Sequence, residues 1–186
     1  MRAAIIFLLV GCAACVSATK YPNDWPQPDL ADIGCPNISG TYTDAGLSAS
    51  APDRTGDDPE GDLSRYFFDY EKSEIAYTRI SRIDENSMRV ESFGAGESPL
   101  SRLLARDEDF TCRNGRLWVS ERLRIVDDGL WLRGRERIGL ALSMDGSLVG
   151  ESRIRAAGRV FVIPILVRER DHILWELHAS RTDQPE

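Results

Sequence analysis

Histidine is scarce in this chain. Only His172 and His178 are present, which leaves little for imidazole catalysis or imidazole metal ligation. Their even spacing puts both on one face of a strand-like stretch with no nucleophile pattern beside them, and they read as surface or structural residues. No G-x-S-x-G element, phosphate loop, metal motif or cofactor motif occurs, so no catalytic residue, metal or cofactor is expected. Basic excess is also missing. Against 23 Lys and Arg stand 30 Asp and Glu, a net charge of -7, and an acidic chain is a poor candidate for general nucleic-acid binding. There is no internal repeat, and the N-terminal apolar run is far shorter than the ~20 residues a spanning helix needs.

That run is nevertheless the most informative stretch. Arg2 is followed by Ala3-Ala4-Ile5-Ile6-Phe7-Leu8-Leu9-Val10, then Gly11 and Cys12. A single cation, a short apolar segment and a small residue have the form of a secretory signal peptide. Leu9-Val10-Gly11-Cys12 resembles the lipobox of bacterial lipoproteins. The resemblance implies cleavage after Gly11, acyl chains on Cys12 and a membrane held through that anchor. The residue after Cys12 is Ala13 rather than Asp, which by the same resemblance implies the outer membrane, on its periplasmic side. Cys15 is a poorer match because the position three before it is Cys12, and an ordinary signal peptide cut at a nearby Ala or Ser is the alternative. Several acyl chains on one cysteine hold a domain firmly, whereas a single chain is marginal.

These features divide the chain into a signal peptide (1–11), a lipidated tether (12–34), a β domain (35–181) and a disordered tail (182–186). The tether is rich in proline and acidic or amide residues, among them Pro22, Asn23, Asp24, Pro26, Pro28 and Asp29, a composition that favours extended chain. An exported domain can keep disulfides. With Cys12 acylated and Cys15 in the tether, Cys35 and Cys112 remain, and they are expected to pair; two buried thiols are the alternative. No pair among Cys15, Cys35 and Cys112 has the C-x-x-C spacing of a zinc site.

Turn signals organise the domain. Gly40-Thr41-Tyr42 resembles the G-x-W opening of lipocalins, with Tyr42 in place of the tryptophan. Residues 44–62 hold Asp53, Asp57, Asp58, Glu60 and Asp62 without EF-hand spacing and read as a solvated loop. Leu63–Tyr70 is aromatic and reads as a short helix or a strand. Ile75–Ile83 and Met88–Phe93 read as strands, and Leu100–Arg106 as a helical turn. Asn114-Gly115, Asp128-Gly129 and Asp145-Gly146 then sit between strand-like runs, and NG and DG are strong hairpin signals. Arg159–Arg170 and Ile173–Ser180 close the series. The fold expected is mainly β: an antiparallel meander of roughly eight strands forming a barrel or half-barrel.

Counting from the turns gives a register. Asn114-Gly115 pairs Cys112 with Leu117 and Phe110 with Val119. A three-residue turn at Met144-Asp145-Gly146 pairs Leu142 with Leu148 and Leu140 with Gly150. Asp128-Gly129 pairs Leu123 with Gly134, Glu121 with Glu136 and Leu117 with Leu140. All three put apolar residues opposite apolar residues. The count also aligns Glu108, Glu121 and Glu136 across one face, and because like charges directly opposite repel, the row is either a candidate cation or ligand site or, the plainer alternative, a solvated rim. Arg122, Arg124, Arg133, Arg135 and Arg137 fall on the other face and continue into Arg153 and Arg155. Such a face cannot lie in hydrocarbon, but it suits lipid phosphates or an acidic envelope protein; pairing with acids such as Asp107 and Glu151 is the plainer alternative. The function expected is a non-catalytic binding or structural module of the envelope, with a lipocalin-like carrier of a small apolar ligand as the alternative.

Overall fold

A computed structural model describes residues 13–30, 34–50, 61–68, 75–94, 98–120, 122–126, 131–160 and 163–178. Strands dominate them: β1 (Ala13–Ala18), β2 (Gly40–Thr43), β3 (Leu47–Ser48), β4 (Ile75–Arg82), β5 (Ser87–Gly94), β6 (Leu100–Ala105), β7 (Phe110–Arg113), β8 (Arg116–Val119), β9 (Arg122–Val126), β10 (Trp131–Leu142), β11 (Leu148–Val160) and β12 (Ile163–Trp175). One 3-10 turn spans Ser64–Tyr66, and no α-helix occurs among the described residues. The larger sheet runs β1-β12-β11-β10-β8-β7, with β3 beside β12 and β9 beside β10; the smaller runs β2-β4-β5-β6.

The barrel expected from the meander is not closed. Among the described residues the two sheets meet at their rims through isolated bridges, Tyr42–Leu177 and Arg106–Phe110, and not through a continuous ladder. The mismatch of strand lengths accounts for this. β10, β11 and β12 have 12, 13 and 13 residues, against 4, 8, 8 and 6 in the smaller sheet, so the long strands overhang it, and along the overhang they pair with β1 and β9 instead of with the smaller sheet. Nor is the sheet wholly antiparallel, since β1 pairs with β12 in parallel, from Ala13 against Ile165 to Ala18 against Arg170. The first part of the expected tether is therefore a sheet strand. Leu100–Ala105 is a strand instead of a helical turn, since it has β5 to pair with along its whole length. The last two strands also divide differently. β11 extends to Val160, and β12 passes unbroken through Asp171-His172 because both residues find ladder partners, Ser152 and Glu151.

Two of the three turns fold as their residues demand. Asn114 and Gly115 have φ of 54° and 66°, the pair of positive values a type I′ hairpin requires, and Cys112 faces Leu117 while Phe110 faces Val119. Gly146 has φ of 88°, its N–H donates to the Ser143 carbonyl at 3.0 Å, and Leu142 faces Leu148. Asp128-Gly129 lies outside the described residues.

The core lies between the sheets. Tyr42, Ile80, Val90 and Leu104 from the smaller sheet meet Phe110, Leu117, Ile138, Leu140, Leu148 and Trp175 from the larger, with Leu63 and Phe67 filling in from the segment around the 3-10 turn; all are at most 2 % exposed. Burying the polar atoms of these aromatics requires partners. Trp175 Nε1 donates to the Gly61 carbonyl at 2.7 Å, and Tyr42 Oη to the Ile38 carbonyl at 3.1 Å. Burial pushes the Tyr42 pKa up. Cys35 and Cys112 come together as a disulfide, Cα atoms 4.9 Å apart, which pins the segment before β2 to β7.

Candidate arginine face

The outer face of the larger sheet is built by ladder register. Arg137, Arg153 and Arg170 form one cross-strand row and Arg135, Arg155 and Arg168 the next. Neighbouring strands lie ~4.8 Å apart, so each row is a line of guanidiniums that repel one another. On β1, Ala18 extends the first row and Val16 the second.

The first row has a counter-charge. Glu151, 7 % exposed, stands next to Arg153 on the same face of β11. Its Oε1 accepts from Arg153 Nε at 2.7 Å and lies 2.7 Å from Arg153 Nη2 and 3.4 Å from Arg170 Nε, while Oε2 lies 3.6 Å from Arg116 Nε. Three guanidiniums thus converge on one carboxylate. Trp118 inserts its ring between two more contacts, with Arg137 Cζ 4.4 Å and Arg153 Cζ 4.6 Å from its rings. These are cation–π distances. Gly139 makes room for the indole: a Cβ there would come within 2.8 Å of it.

Below the rows the face is covered. Tyr21 packs edge-on against His172 at 5.3 Å and against Trp25 at 5.9 Å. Pro28 bridges to Ser143, and the Asp29 N–H donates to the Leu142 carbonyl at 2.8 Å. Residues 21–30 are therefore docked chain, which corrects the expectation of a free tether for this part. Under them, Arg116 Nη1 and His172 Nδ1 are buried without a hydrogen-bond partner among the described residues. Burial lowers the pKa of both groups; Glu151 opposes the shift in each case.

The expected acidic row does not form. Leu117 faces Leu140 as counted, but beyond Trp118 the ladder slips by one residue, so that Glu136 faces Arg122 and Arg135 faces Leu123. Ser120 explains the slip. Its N–H donates to the Asp109 carbonyl at 2.8 Å and its hydroxyl to the Glu108 carbonyl at 2.6 Å, which draws the chain toward the β7 side and leaves an extra residue against β10, as a bulge does. Glu108 is exposed on the turn before β7. Glu136 is half-buried and accepts the Ser152 hydroxyl at 3.0 Å. Glu121 lies outside the described residues. The same slip moves Arg122 and Arg124 to the register positions of Glu136 and Gly134, away from Arg133, Arg135 and Arg137. The arginine face is therefore continued by Arg153, Arg155, Arg168 and Arg170. The last two were missed, although alternation in Arg168-Glu169-Arg170 could have signalled them once β12 was read as one strand.

His178 is far from His172's role: it stacks on Tyr77 at 4.6 Å, and its N–H donates to the Thr41 carbonyl. Cys12 lies outside the described residues. No group of three His, Cys, Asp or Glu side chains among the described residues is placed to hold a metal ion. No protein-family model, curated protein or solved structure matches the chain.

Proposed function

We propose that the chain is a lipid-anchored protein of the bacterial envelope, on the periplasmic side of the outer membrane, whose β domain is a non-catalytic module that binds an anionic partner through its arginine face. The observation that carries this reading is the pair of arginine rows laid over a filled core. Ion pairing with Glu151 accounts for part of the first row. Arg155 and Arg168 are exposed and have no acid at a neighbouring outer-face register position among the described residues. Arginine is also the cation suited to phosphate and carboxylate geometry, and all but two of the 23 basic residues are arginine.

The filled core speaks against a carrier of apolar ligands. Where a carrier would need a cavity of several hundred Å3, Trp175, Tyr42, Phe67 and Phe110 occupy the space between the sheets. A recess beside the disulfide, lined by Cys35, Ile38, Ile80, Met88 and Phe110 among others, amounts to about 10 Å3, room for one water. Native mass spectrometry of protein taken from its own membrane tests the reading. The expected mass carries acyl chains on Cys12 and no retained apolar ligand; an unmodified Cys12 or a stoichiometric lipid inside the domain would overturn it.

A further inference from the structure

We infer that the arginine face binds the phosphates of the bilayer in which the protein is anchored, so that the domain lies with the outer face of β10–β12 and β1 against an anionic lipid surface. The inference rests on the anchored reading and adds the partner and the orientation.

Three observations favour lipid over an acidic protein or a polynucleotide. The first is position. Ala13 begins β1 beside Ile165, three residues along β12 from the nearer arginine row, and Val16 lies beside Arg168. Val16 is four residues on from Cys12 in the sequence, a span of at most about 13 Å of extended chain. An acyl group on Cys12 therefore holds the Arg135–Arg155–Arg168 row close to the headgroup layer whenever the face tilts down. The second is the mixture of side chains. Val16 is 69 % exposed and Leu166 36 %, both on the arginine-bearing side of the sheet, flanking Arg168. Cations interleaved with exposed aliphatic groups match an interface where phosphate lies above hydrocarbon. The third is segregation of charge. The chain is acidic overall, yet at the outer-face register positions of β10, β11 and β12 described here the only acid is Glu151, and it is buried. Residues 21–30 cover the opposite end of the same face, so among the described residues the uncovered part is the part next to β1.

The test uses the full chain carrying Cys12→Ala, which removes acylation, and vesicles of phosphatidylglycerol or of phosphatidylcholine. The apolar N-terminal segment partitions into both, so the readout is the ratio of the two affinities. The expected result is tighter binding to phosphatidylglycerol that weakens with added salt. In the pair Arg155→Gln and Arg168→Gln the preference should fall on the order of thirtyfold, from the contribution of each arginine near an anionic surface; both side chains are exposed, and an unchanged melting temperature verifies the fold. The matching pair Arg155→Lys and Arg168→Lys should keep most of the preference. Equal binding to both vesicle types, or a preference unaffected by the glutamine pair, overturns the inference. So does crosslinking in intact envelopes that joins this face to an acidic protein instead of lipid. None of these results bears on whether Cys12 is acylated, which mass spectrometry decides separately.

Discussion

Single side chains in this protein are held by charge balance as much as by packing. Asp44, 2 % exposed, is the clearest case. Its Oδ1 accepts the Ser64 N–H at 2.8 Å and the Thr78 hydroxyl at 2.7 Å, its Oδ2 accepts the Ser64 hydroxyl at 2.6 Å, and Thr78 passes the chain on to Ser92. Burial raises its pKa, and the hydrogen bonds pull in the other direction without cancelling the effect. Removing the carboxylate orphans several donors at once, so Asp44→Ala should cost about 3 kcal/mol in urea unfolding. The sign of the pH effect follows from the raised pKa. The folded state holds the proton more tightly, so this contribution is full below the unfolded value near 3.8 and is lost as pH rises through the folded pKa. Asp44→Asn should flatten the stability profile over that window. His172 has the opposite sign, because burial lowers its pKa from 6.5. Stability should be full above pH 6.5 and fall as the pH drops, and in His172→Gln that slope should diminish. Melts between pH 8 and 5 compare the two. Glu151 balances Arg116, which is otherwise buried and unpaired. Glu151→Ala should therefore cost about 3–5 kcal/mol, and much less when Arg116→Met is already present; additive losses would mean that the two do not interact.

At the level of strands and turns, residues that dictate backbone geometry were legible and residues that compete for a ladder were not. Asn114-Gly115 and Gly146 could be read because positive φ at those positions admits few alternatives, and the turns then fixed Cys112 against Leu117 and Leu142 against Leu148. The slip after Trp118 was invisible because it depends on Ser120 bonding to Glu108 and Asp109 across the hairpin, a tertiary contact with no local signature. Since strand side chains alternate, one residue of slip moves a whole set to the other face. That removed the acidic row and transferred Arg122 and Arg124, while leaving the rest of the arginine face standing. β1 was hidden for a related reason: a parallel partner 152 residues away (Ala13 to Ile165) leaves no turn signal. The Cys35–Cys112 link was readable from the cysteine count, the expected export and the inward register of Cys112, and it joins the segment before β2 to β7 across a separation of 77 residues. In the loop-entropy view a closure of this size contributes about 4 kcal/mol. A non-reducing peptide map should show the linked pair. Cys35→Ser with Cys112→Ser should lower unfolding stability by about 2–4 kcal/mol, and quantitative alkylation of both thiols in protein from the native compartment would refute the pairing.

For the whole molecule, the anchor and the sheet bear on one another. β1 is the first described strand, and it packs in parallel along the long edge of β12. If Cys12 carries the acyl chains, force from the membrane enters the domain through a six-residue ladder, with no flexible spacer between lipid and fold. The docked segment 21–30 follows directly, returning over His172 to Ser143. Orientation at the membrane is then set by the fold, which a long disordered tether could not do. The anchor itself is checked by Cys12→Ala in cells. Processing by lipidation and cleavage needs the cysteine thiol, so the variant should appear either as an uncleaved precursor or as soluble protein, and its mass should lack acyl chains. If the arginine face gives a second, weaker hold, fractionation at low and high salt shows it: soluble material should shift from the membrane to the supernatant as salt rises. A variant that keeps its membrane association in high salt after losing its signal segment would show that the chain is held by something other than Cys12 and the arginines.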